Sequence, residues 1–101
     1  MPEKMYGMLG LAQRAGKIAS GESAAEANIQ KQKAKLVIIA EDASEGTKKA
    51  FFSLCSYHKA KYLVMGEKIR LGIALGKSPR SVVVILDNNF AKNIAQNRQE
   101  E

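Results

Sequence analysis

The residues best placed to do chemistry lie between Gly16 and Asp42, where Gly16-Lys17, Ser20-Gly21-Glu22-Ser23 and Glu41-Asp42 bring a glycine turn, a helix start and two carboxylates into one segment. A helix N-terminus leaves backbone N–H groups unpaired and carries partial positive charge, so this turn suits a phosphate-bearing ligand. Arg14, Lys17, Lys31, Lys33 and Lys35 surround it in the chain and offer phosphate contacts around Gly21, with a solvated basic face as the alternative. Glu41 and Asp42 can cap a helix, hold a metal or accept hydrogen bonds from guanine. Capping is the structural reading. The preferred functional reading is a base contact, because the pair lies next to the glycine turn in the predicted sheet order, while no nucleophile accompanies them and acid–base catalysis needs two carboxylates in distinct environments.

Other clusters carry less. Gly72 to Ser78 imitates a nucleotide-binding P-loop but has one residue too few between Gly72 and Gly76, follows a helix and runs into Pro79. ATP or GTP hydrolysis is thereby set aside. Cys55 and His58 fall on one helical stripe, and with a single Cys and a single His in the chain they cannot complete a zinc site between them. Core packing is the better account. Lys77-Ser78-Pro79-Arg80 is a basic loop stiffened by proline, either a clamp on a nucleic-acid backbone or an ordinary connection. Tyr6, Tyr57 and Tyr62 show no spacing of the kind that stacks bases on a sheet.

The elements that must position these groups follow from periodicity. Leu36–Ala40, Tyr62–Met65 and Val82–Leu86 are continuous apolar runs, which predicts strands buried on both faces and a largely parallel sheet. Met5, Met8, Leu9 and Ala12 mark a first helix ended by Gly16, and 17–20 reads as a short leading strand. Helices are expected over 21–32 with Ser20 as N-cap, over 44–59 capped by Asp42 or Ser44, over 67–75, and after Asp87 with Phe90 and Ile94 inward. The polar tail from Asn97 to Glu101 is expected to fray. The fold class is α/β: a three-layer αβα sandwich with a central four-stranded, largely parallel mixed sheet. In such sheets ligands meet the loops at strand ends, here 20–23 and 41–44.

The chain has 101 residues, 46% of them hydrophobic, which suits one domain over 1–101. Its net charge of +6 favours a polyanion. Residues 1–35 hold six basic and three acidic groups and residues 36–101 ten and seven, so each part carries +3 and a basic face has to be assembled by folding. One cysteine makes no internal disulfide, and the apolar runs are far shorter than the ~20 residues of a membrane-spanning helix. A monomeric cytoplasmic protein without a membrane span is expected.

Gly16-Lys17, Ser20-Gly21, Ala34-Lys35-Leu36-Val37, Ala40-Glu41-Asp42-Ala43, Leu54-Cys55, Leu71-Gly72 with Ala74, and Gly76-Lys77 together resemble the L7Ae/L30e ribosomal protein superfamily, close to its bacterial YlxQ-type branch. The resemblance spans nearly the whole chain. It implies an αβα sandwich that binds kink-turn or related internal-loop RNA, with ribosomal RNA as partner, no enzyme activity and no cofactor. It assigns Gly21, Glu22, Ser23 and Ala24 to a widened RNA groove, and Ser78, Pro79 and Arg80 to a cover over a flipped-out base, with Glu41 and Asp42 alongside. Arg14, Lys17, Ser20 and Lys31 complete the expected RNA-binding set.

One departure is definite. Kink-turn readers carry Gly-x-Asn-Glu-x-x-Lys, and the matching places after Gly21 are Ser23, Ala24 and Ala27. Tandem sheared G·A pairs thereby lose hydrogen-bond partners worth about 1–3 kcal/mol of discrimination each. The L30e and YlxQ branches depart from that motif too, and recognition through shape and backbone survives the change. The expected partners are structured RNA and the ribosome or its assembly factors. The competing readings are a protein-interaction module that keeps the fold, and a small enzyme acting on phosphorylated metabolites at 20–23, which lacks a base with a partnered nucleophile.

Overall fold

Alternating helix-period and apolar-run segments become, in a computed structural model that describes residues 3–97, five helices and four strands. In chain order they are α1 (Glu3–Arg14), β1 (Ile18–Ser20), α2 (Glu22–Gln30), β2 (Leu36–Ile39), α3 (Glu45–His58), β3 (Tyr62–Val64), α4 (Lys68–Leu75), β4 (Val82–Ile85) and α5 (Asn88–Asn97). Of the tail expected to fray, Asn97 closes α5 and 98–101 lie outside the described residues.

The strand order is β1-β4-β2-β3. β4 runs antiparallel to both β1 and β2, and only β2 and β3 are parallel. The four-stranded mixed sheet is as expected, but it is mostly antiparallel rather than largely parallel. Continuous apolar runs report burial of both faces, which helices provide whatever the strand direction. Every residue of β2 and β4 is buried. β3 departs from that pattern: as an edge strand it leaves Tyr62 and Val64 38% and 40% exposed.

α1 packs with α4 and α5, and α2 packs with α3, giving the two helical layers. Met5, Tyr6, Leu9 and Ala12 are the buried stripe of α1, and Phe51 and Cys55 that of α3. All of these except Ala12 join β2, β4, Leu71 and Ile94 in one core cluster.

The caps explain where the helices begin. Ser44 caps α3, its hydroxyl oxygen accepting from the Thr47 N–H at 3.1 Å. Ser44→Ala is expected to destabilise the fold by about 1 kcal/mol, read as a fall of roughly 4–8 °C in thermal midpoint. Asp87 caps α5 as expected, accepting from the Phe90 N–H at 2.9 Å. Ser20 does not cap α2. It ends β1, and Gly21 occupies the N-cap position with no side chain to offer. α2 also stops earlier than expected, at Gln30, because Gln32 turns into the left-handed region at φ 60°.

Candidate nucleic-acid interface

Four backbone hydrogen bonds draw separate connections to one edge of the sheet. Gly21 N–H donates to Val82 O (3.0 Å), Ala40 N–H to Ser81 O (2.8 Å), Glu41 N–H to Gly66 O (2.8 Å) and Arg80 N–H to Lys68 O (3.0 Å). β1, β2 and β3 end at this edge and β4 begins there, so the turns after β1 and β2 and the loop before β4 are neighbours. The sheet thus brings together the two loops singled out from sequence and the expected cover.

At the turn after β1, Gly21 adopts φ 95°, ψ 157°, a conformation open to glycine. The chain can therefore leave β1 and enter α2 with Gly21 alone between them. The first-turn N–H groups of residues 22–24 have no side-chain cap, and Glu22 and Ser23 are exposed with Ala24 half-buried. This is a free cluster of amide donors with the helix dipole behind it. Its direction is fixed from α3: the Ser44 hydroxyl donates to Thr47 Oγ1 (3.0 Å), whose own proton goes to Glu22 Oε2 (3.2 Å).

The cover loop lies against α4. Gly72 permits this, because a Cβ there would sit 2.3 Å from the Ser78 carbonyl oxygen. Gly76 ends α4 in the left-handed region at φ 70°, so the glycine-lysine-serine run is a helix stop and not a phosphate loop. Arg80 Nε donates to Ser20 Oγ at 3.0 Å, and Nη1 donates to Ser78 Oγ at 2.8 Å. Among the described residues no carboxylate pairs with Arg80, so its charge stays available beside the open amides. Ser78 and Pro79 are exposed next to it.

The carboxylates divide. Asp42 Oδ1 accepts the Lys68 N–H at 2.9 Å and, with the Tyr6 hydroxyl accepting the Glu67 N–H at 3.0 Å, closes the start of α4. Part of the Asp42 carboxylate is thus committed to structure. Glu41 is exposed, and among the described residues its carboxylate has no hydrogen-bond or ion-pair partner. Glu22, Glu41 and Asp42 with Arg80 and exposed Lys77 make this edge mixed in sign.

The expected gathering of Arg14, Lys17 and Lys31, with Lys33 and Lys35, around Gly21 does not occur. Leu86 N–H donates to Lys17 O and Lys35 N–H to Ile85 O, both at 2.8 Å, which puts these segments at the other end of β4. At roughly 3.4 Å per residue the three steps from Val82 to Ile85 separate the two ends of β4 by about 10 Å. Nearness in sequence misled because β1 and α2 each carry the chain from one edge of the sheet to the other. Thr47 and Lys68 were missed by sequence reasoning, since their roles are long-range hydrogen bonds without a local pattern. Gly72 had a signal, a glycine inside a helix, which ordinarily reflects close approach of another backbone.

The remaining candidates are structural. Cys55 is buried and its thiol is pushed up to about 11 by desolvation, the opposite of an activated nucleophile. His58 stacks edge-on with Tyr57. Among the described residues no group of three or more His, Cys, Asp or Glu could hold a metal, and no helix is long and apolar enough to cross a membrane.

Comparison with known proteins bears on the family and the fold. The model of the "Ribosomal protein L7Ae/L30e/S12e/Gadd45 family" matches residues 3–95. The chain is 39% identical over 89 residues, 88% of its own length and 89% of the relative's, to "RNA-binding protein YlxQ" of Bacillus subtilis (strain 168). A solved protein of unknown function from Bacillus halodurans C superposes with TM-score 0.90 at 32% identity, covering 95% of this chain and 97% of that one. The Giardia lamblia 15.5kD RNA binding protein superposes with TM-score 0.76 at 25% identity, covering 94% and 82%.

Proposed function

Because this chain belongs to the ribosomal protein L7Ae/L30e/S12e/Gadd45 family, we propose that it binds structured RNA, ribosomal RNA in particular, at the edge formed by Gly21–Ala24, Glu41 and Ser78–Arg80. It does so without catalysing a reaction, as a ribosomal or ribosome-assembly protein. The observation that carries this reading is the uncapped first turn of α2 beside the Arg80 guanidinium anchored on Ser20. Amide donors and a cation on one edge suit a phosphate, while Glu41 can accept from the imino and amino groups of guanine. The mixed sign of the edge favours reading base edges as well as phosphates over simple attraction to any polyanion.

With Ser23, Ala24 and Ala27 in place of the Asn, Glu and Lys of kink-turn readers, the contacts that reward tandem G·A pairs are shortened or gone. The RNA favoured is an internal loop or bend recognised through shape and backbone. The names of the relatives that state RNA binding support the class of ligand.

A filter-binding titration of ribosomal RNA fragments at several salt concentrations tests the reading. Arg80→Gln is expected to raise Kd about tenfold and to flatten the log–log salt slope by about 0.7–0.9. Wild-type binding with no salt dependence, or with equal affinity for every duplex, would refute specific recognition.

A further inference from the structure

Lys35, one of the lysines absent from the Gly21 edge, meets Lys61 and Lys92 elsewhere. At the opposite end of the sheet, a groove of about 560 Å³ is lined by Lys35, Lys61 and Lys92 with Leu36, Asn88 and Ala91. The three cations come from separate elements. Lys35 is pinned at the start of β2 by its N–H bond to Ile85 O (2.8 Å), Lys61 at the start of β3 by its carbonyl, which accepts from Val37 N–H (2.9 Å), and Lys92 rides on α5. Leu36 and Ala91 are buried beneath them and give the lysine stems an apolar floor.

We propose that this groove is a second RNA-binding surface, which grips phosphates without reading bases, so that one small protein holds RNA at both ends of its sheet. The proposal rests on the RNA reading above for the identity of the polyanion. Among the described residues, none of the three lysine side chains has an ion-pair or hydrogen-bond partner. Asp87, the acid adjoining the groove in the chain, spends Oδ2 on the Phe90 N–H at 2.9 Å. Three cations lining one groove with no ion-pair partner among the described residues raise the positive potential there, and an anion spanning them lowers it. Among the described residues no aromatic side chain lines the groove, so base stacking is not its mode. The lack of an aromatic anchor among the lining residues also disfavours a protein partner, whose energetic hot spots are enriched in Trp, Tyr and Arg.

The chain is small, 29 × 26 × 25 Å across its principal axes. RNA engaged at both poles must therefore bend around the protein or arrive as two helices.

Amide chemical shifts of the full chain decide the matter, recorded with a plain RNA duplex of about 20 base pairs and with an internal-loop hairpin taken from ribosomal RNA. The groove amides, Lys35, Lys61, Asn88 and Lys92, are expected to move with both probes, and Gly21–Ala24 with the hairpin alone. Replacing Lys35, Lys61 and Lys92 together with Gln is expected to lower the salt slope by about 2 and leave the Gly21–Ala24 shifts intact. Shifts confined to Gly21–Ala24 overturn the second surface and keep the proposed function. Groove shifts with both probes and none at Gly21–Ala24 do the reverse, and silence everywhere overturns both. Inorganic phosphate moving the groove amides as far as the duplex, or an acidic peptide of equal charge binding as tightly, would also overturn it.

Discussion

Gly72→Ala is expected to destabilise the protein by about 3 kcal/mol, lowering its thermal midpoint by roughly 15 °C. On propensity alone the sign would be opposite, because alanine in a helix interior is better than glycine by about 1 kcal/mol. Contact reverses it. The added Cβ would meet the Ser78 carbonyl oxygen at 2.3 Å, the Ser78 carbonyl carbon at 2.7 Å and the Lys77 oxygen at 2.8 Å. All three are backbone atoms and cannot rotate away. They are held by Lys77 N–H donating to Gly72 O (2.8 Å) and Arg80 N–H donating to Lys68 O (3.0 Å).

The loop has to lift from α4, and the bond from Arg80 Nε to Ser20 Oγ goes with it. RNA affinity is therefore expected to fall together with stability, beyond the tenfold of Arg80→Gln. Urea unfolding with an unchanged m-value isolates the folding part. A stabilised Gly72→Ala protein would mean that the cover does not rest on the helix.

Gly21→Ala is expected to weaken RNA binding about 100-fold while destabilising the fold by only about 1–3 kcal/mol. The two glycines differ in kind. Nothing lies within 4 Å of a Cβ at position 21, so the penalty there is torsional, from φ 95° with ψ 157°. An L-residue escapes by rotating the turn, which re-aims the N–H groups of residues 22–24 away from the ligand. Gly21→Val then separates torsion from proximity. If RNA backbone passes close to the turn, valine lowers affinity well below the alanine variant at equal stability; matching affinities would put the RNA farther out. Fluorescence titration beside circular dichroism measures both quantities, and undiminished binding by Gly21→Ala would remove the turn from the interface.

Local features were legible in the sequence. The stripe of α1, the caps at Ser44 and Asp87, and the glycine stop at Gly76 follow from short-range patterns, and all are present. The convergence of 20–23 and 41–44 was legible through sheet logic, since loops at one edge of a sheet become neighbours, whereas the place of 78–80 beside them came from the family resemblance. Strand direction was not. Apolar runs encode burial and carry no arrow, so the antiparallel place of β4 between β1 and β2 emerged only with the fold. The basic residues failed for a related reason. Lys17 and Gly21 are four positions apart in sequence, yet an intervening strand puts them at opposite ends of the sheet. Asp42 looked like a ligand group and serves partly as a cap, because the donor it receives, the Lys68 N–H at the start of α4, is 26 residues away in sequence.

Among the described residues the outer rim of β3 faces no neighbouring strand. Unsatisfied ladder groups of that kind can recruit another chain and seed fibrillar association. Here the rim is only three residues long, preceded by charged Lys61 and soon broken by Gly66 in the left-handed region at φ 81°. So short and guarded a template gives a second molecule little to zip onto, which favours a chain that stays dispersed when concentrated.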